Sequence, residues 1–126
     1  MSWQAYIDQS LIGSNKIAKA AIYTHQKGEC ATSSGFKLNP DEVDALINAF
    51  NDPSPFYASG IHLGGQKYIP LRCSDESIYL KQGSSGACCV KTKQLVIVGV
   101  YADGVQPGEA NVVVEKLGDY LRGVNY

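Results

Sequence analysis

The chain has 126 residues, 44% hydrophobic and 18% charged, a balance that excludes a disordered segment and predicts one domain spanning 1–126. Its formal net charge of −1 lacks the basic excess of nucleic-acid binders. No apolar run approaches the ~18 residues of a membrane span and no basic-then-apolar signal opens the chain, so a soluble cytoplasmic protein, not an integral membrane one, is expected.

In chain order, SWQAYIDQSLIG reads as a short amphipathic helix, with Ser2 as N-cap and Gly13 as stop. Trp3, Tyr6, Ile7 and Leu11 lie three or four apart on one face. Aromatic rings this close to an end either pin it to the body or belong to a surface. Ile17–Thr24 reads as a strand, and Glu29–Phe36 as its hairpin partner across a polar turn. Asn39 caps the next helix, with Pro40, Asp41 and Glu42 in its first turn and Val43, Leu46, Ile47 and Phe50 on its buried face. NDPSP breaks that helix, and Phe56–Ser59 forms one short turn of another.

From Ile61 the texture is strands: Ile61–Leu63, Lys67–Ser74, Ser77–Gln82, Ala87–Thr92 and Leu95–Tyr101. Connections as short as GG, SDES, GSSG and TKQ join antiparallel neighbours, because a parallel crossover needs a dozen residues or more. LVIVGVY is apolar almost throughout, which predicts a central strand covered on both faces. The last helix starts at Pro107 and stops near Gly123, and its core stripe is Ala110, Val113, Val114, Leu117, Leu121 and Val124. Asn111, Glu115 and Lys116 are left for solvent, and Tyr120 and Tyr126 lie beside the stripe. At about 1.5 Å per residue this helix is roughly 24 Å long, enough for its two ends to serve different partners. The class is α+β, a single antiparallel sheet with helices on its faces.

Catalytic parts are scarce. His25 and His62 lack metal-site spacing, and no nucleophile elbow is present. Gly64–Gly65 and the GSSG segment sit between strands, which is the setting of turns and not of phosphate loops. Cys30, Cys73, Cys88 and Cys89 have no C-x-x-C spacing; in a strand the last two point to opposite faces, so all four read as small hydrophobes. The pattern points away from an enzyme, and neither a cofactor nor a metal is expected.

SWQAYID, LGGQKYIPLR and ANVVVEKLGDYLRG, in this order and across essentially the whole chain, resemble profilins, the small actin-monomer-binding proteins, in a form closest to those of amoebae. The resemblance implies a central antiparallel sheet, with the terminal helices side by side on one face and the other helices opposite. Trp3 and Tyr6 would then lie beside Tyr120 and Tyr126, with Leu121 as floor, in an exposed aromatic strip. Such a groove suits proline-rich segments, which are already extended and offer their rings to flat aromatic faces. Many members carry a further Trp in the second strand, where this chain has Cys30, so the groove should lose a stacking wall.

Carried over position by position, the family's actin-binding face falls on Tyr57, Ala58, Lys67, Arg72, Lys81, Lys91, Gly108, Asn111, Glu115 and Lys116. Gln106 and Val112 stand where animal members often have His and Lys. The basic content of this face suits an acidic partner surface. Phosphoinositide headgroups would meet Lys16, Lys19, Lys81 and Arg122. The reading is an adaptor that brings monomeric actin to proline-rich partners such as filament nucleators. Two alternatives remain: a ligand-sensing or scaffold domain, predicting a core cavity, and a small hydrolase using His62 or Cys88, predicting turnover lost on their substitution.

Overall fold

The computed structural model describes residues 2–126. Seven strands, β1 (Lys19–Thr24), β2 (Glu29–Thr32), β3 (Ile61–Leu63), β4 (Gln66–Cys73), β5 (Ser77–Gln82), β6 (Ser85–Lys91) and β7 (Leu95–Tyr101), form one sheet. Its order is β2-β1-β7-β6-β5-β4-β3, with every neighbouring pair antiparallel. Short connections dictate this meander, while the long excursion between β2 and β3 holds two helices, α2 (Pro40–Asn51) and α3 (Ser54–Ser59). The fully buried β7 lies inside the sheet and feeds two cores: Val96, Val98 and Val100 face α2, while Leu95, Ile97 and Tyr101 face the terminal helices. Cys88 and Cys89 divide between the same two cores, as strand alternation requires.

The terminal helices share one face, and α2 covers the other. The C-terminal helix, α4 (Pro107–Gly123), sits very close to the sheet. A Cβ on Gly118 would lie 2.6 Å from Val90 Cγ1, and one on Gly99 would lie 2.6 Å from Val114 Cγ2. Small residues on both surfaces are what permit the approach.

The N-terminal segment differs from the regular helix expected. One α-turn, α1 (Trp3–Ala5), runs into a π-helical stretch (Tyr6–Leu11) and a 3-10 turn (Ile12–Ser14). The stop falls on Asn15, left-handed at φ 64°, and not on Gly13. The predicted strand Glu29–Phe36 ends early at Thr32, because a turn closed by the Phe36 N–H on the Ser33 carbonyl diverts the chain. At the other end of the molecule Val124 leaves the predicted core stripe. It lies beyond the last helical residue and is 43% exposed, while Val113 is only partly buried.

Candidate functional site

Two surfaces emerge, and both involve α4. The first is a row of rings drawn from the two ends of the chain. Tyr126 packs edge-on to Trp3 at 5.0 Å between centroids, Trp3 lies 5.7 Å from Tyr6, and Tyr6 lies 6.2 Å from Tyr120. All three spacings are those of interacting aromatic pairs. Ser2 and Val124 complete the lining of the hollow, whose volume is about 460 Å³. Leu121, expected as the floor of the groove, is 0% exposed and lies in the core cluster against which Trp3 and Tyr6 pack.

The row is fixed at both ends. Ser2 Oγ caps the first turn through the Ala5 N–H, and Gln4 Nε2 donates to the Thr32 carbonyl on β2. The Tyr126 backbone oxygen accepts from Gln94 N–H at 2.6 Å and from Thr92 Oγ1 at 2.9 Å, after a left-handed Asn125 turns the chain back. Rings held this way would lose little freedom on meeting any ligand. Cys30 sits half-buried on β2, outside the lining of the hollow, and burial raises its thiol pKa.

The second surface is the part of the sheet that α4 leaves uncovered. Cross-strand pairing puts Ile69 with Lys81 and Arg72 with Tyr79, so these four share the α4 side, with Lys67 two residues before Ile69. A bulge between Pro70 and Arg72 breaks the strand alternation. Ile69, on the open face by ordinary alternation, and Leu71, the extra residue of the bulge, are 57% and 58% exposed, beside exposed Arg72. Along the edge of α4 that faces β5, the Tyr79 hydroxyl donates to Glu115 Oε1, and this bond pushes the Tyr79 phenol up to about 12. Glu115 is therefore engaged and half-buried, not freely offered to solvent. Asn111 is also half-buried, and its Oδ1 has no hydrogen-bond partner among the described residues. Tyr57 and Ala58 are exposed on α3, and the neighbouring Cys73 thiol raises the Tyr57 phenol pKa. Gly108 is open at the start of α4, beside exposed Val112.

Two residues expected on this surface point elsewhere. Lys91 lies on the α2 side of the sheet, with Nζ 5.9 Å from the Phe50 ring. Lys116 faces the N-terminal helix, in a hollow with Tyr6, Ser10 and Tyr120. Nor are the four expected headgroup cations gathered together. Lys16 pairs with Glu109 at 2.7 Å near the start of α4, whereas Arg122 bonds Glu76, Asp119 and the Lys91 carbonyl near its end, about 20 Å away along the helix. Lys19 and Lys81 are exposed, with no carboxylate partner among the described residues.

The family model for profilin matches residues 1–126. The chain belongs to the profilin family. It is 46% identical over 126 residues to profilin-1A of Acanthamoeba castellanii and 46% identical over 128 residues to the profilin of Saccharomyces cerevisiae, with both chains fully covered in each case. The crystal structure of Acanthamoeba castellanii profilin II superposes with a TM-score of 0.96 at 43% identity, covering 99% of this chain and 100% of the other. Profilins bind actin monomers and regulate actin polymerisation, the role that the N-terminal, central and C-terminal segments imply.

Sequence reasoning missed two apolar members of the second surface. Ile69 and Leu71 are each more than half exposed, yet in sequence they read as ordinary strand residues. One available signal was Pro70, which cannot donate to a ladder and so marks an edge or a bulge. Among the described residues, no helix is long and apolar enough to cross a membrane.

Proposed function

We propose that this profilin-family protein is a non-enzymatic cytoplasmic adaptor, a single unit over 1–126, which binds monomeric actin on the β4–β5 face and proline-rich segments in the aromatic row. The single observation that supports the second half is the unbroken file Tyr126–Trp3–Tyr6–Tyr120, built from both chain ends and open to solvent. A proline-rich helix of the PPII type lays its rings on such faces, and Trp Nε1–H or Tyr O–H donates to the prolyl carbonyls. For actin, Lys67, Arg72 and Lys81 surround exposed Ile69 and Leu71, an apolar centre with a basic rim suited to an acidic protein surface. Gly108, Asn111 and Glu115 extend that face along α4, with Tyr57 and Ala58 at its α3 end.

Holding actin on one face and a proline-rich nucleator on the other raises the local concentration of monomers at a growing filament end. Lys19 and Lys81, free of carboxylate partners among the described residues, are where phosphoinositide phosphates would be taken up, at roughly 1 kcal/mol per charge. A hydrolase reading is poorly supported at Cys88, where complete burial raises the thiol pKa, the opposite of an activated nucleophile.

The test uses Trp3, the only Trp of the chain, as reporter. Titration with decaproline should give a saturable change in its fluorescence, and Tyr120→Ala should weaken binding by about tenfold or more, the loss of one stacking wall at a hot spot. A flat response at millimolar peptide would remove the proline half of the function.

A further inference from the structure

The Tyr6–Tyr120 pair is a partition with a cavity on either side. Beyond it, away from Trp3, lies a second hollow of about 410 Å³ lined by Tyr6, Ser10, Val113, Lys116, Leu117 and Tyr120. That size falls within the range of ligand clefts. The π-helical stretch supplies one wall: Tyr6 and Ser10, four residues apart on one helical face, look toward α4 together. Val113 and Leu117 form the apolar wall on the α4 side.

The charge at this hollow is unanswered. Lys116 is exposed and has no carboxylate within ion-pair distance among the described residues. The acids on the flanking helices are all turned to other partners. Asp8 accepts from Gln4, Glu109 pairs with Lys16, Glu115 accepts from Tyr79, and Asp119 pairs with Arg122. A lone ammonium at the rim of an apolar hollow is too few donors for a phosphate group, which calls for several. It matches one carboxylate carried just beyond a bulky apolar side chain.

We propose that the aromatic groove continues past the Tyr6–Tyr120 pair into this hollow, which takes an apolar residue followed by a carboxylate from the segment flanking the prolines of the same ligand. The proposal rests on the proline-groove reading and refines it: the flank sets which proline-rich partners are preferred. Continuity is given by the two tyrosines, which line both cavities.

The experiment compares decaproline with decaproline extended by Leu-Glu at one end or the other, each titrated against Trp3 fluorescence. One of the two extended peptides should bind more tightly than decaproline, on the order of fivefold, the combined yield of one partly buried apolar side chain and one exposed ion pair. Lys116→Glu should abolish the gain while leaving decaproline binding within about twofold. Ser10→Glu, on the opposite wall, should do the same, and a Leu-Lys extension should then bind the Lys116→Glu variant better than the parent. Raising salt should shrink the gain. If decaproline binds and neither extension adds affinity, or if the gain survives both substitutions, the subsite is overturned and the groove reading stands. If decaproline itself gives no response, the groove reading fails and the subsite falls with it.

Discussion

The Tyr79–Glu115 bond joins the sheet to α4 at the centre of the β4–β5 face. It is a charge-assisted hydrogen bond on half-buried groups, so Tyr79→Phe should lower unfolding stability by about 1–2 kcal/mol in denaturant titrations. The pH signature has a definite sign. Because the folded phenol titrates near 12 and the unfolded one near 10, the folded state holds its proton longer. Stability from this group is complete below about pH 10 and is lost as pH rises through 12. Absorbance titration of the eight tyrosines should show a late ionising step that is absent in Tyr79→Phe. Trp3 and the tyrosines of the row were legible as an aromatic surplus at both chain ends. The bond of Glu115 was not, since nothing local links residue 79 to residue 115.

Elements are joined by a few buried polar contacts. Glu42 closes the capping box of α2, accepting from the Asn39 N–H at 3.0 Å, and also receives the N–H groups of Gly64 and Gly65 at 3.2 and 2.8 Å. One carboxylate thereby ties the start of α2 to the β3–β4 hairpin, which presents Lys67. Glu42→Ala leaves these donors unanswered in a 7%-exposed site and should cost about 2–4 kcal/mol, read from thermal or denaturant unfolding. The capping box is legible as N-P-D-E; its second use at the hairpin needs the fold. Gly118 gives the reverse lesson. As a mid-helix glycine it invites replacement by Ala, worth about 1 kcal/mol in propensity. With Val90 Cγ1 only 2.6 Å from the added Cβ, overpacking of about 1–3 kcal/mol should win, and Gly118→Ala should unfold at lower denaturant.

For the whole molecule the question is independence. The aromatic row gathers at the C-terminal end of α4, while Gly108, Asn111 and Glu115 lie toward its start, and the basic rim stands on β4 and β5. Arg72→Glu should therefore reduce actin-monomer affinity by about tenfold or more and leave the decaproline titration unchanged. Tyr120→Ala should do the opposite. Actin affinity should also weaken as salt screens the basic rim, more than decaproline affinity does. Sedimentation or fluorescence binding of labelled actin monomers, run beside the Trp3 titration, reads both arms.

Periodicity and turn chemistry, which act over a few residues, determined the elements: the strand runs, the Asn39 cap, the Pro107 start and the all-apolar β7. They also placed aromatics at both ends of the chain, and the three matching segments pointed to the profilin family. Tertiary structure decided which side chains became surface. The sheet face left open by α4 exposes Ile69, and the bulge puts Leu71 and Arg72 out together, while Lys116 meets Tyr6 and Ser10 of the N-terminal helix across a hollow. Each depends on how one element lies against another, and contacts between residues far apart in the chain leave no local pattern to read.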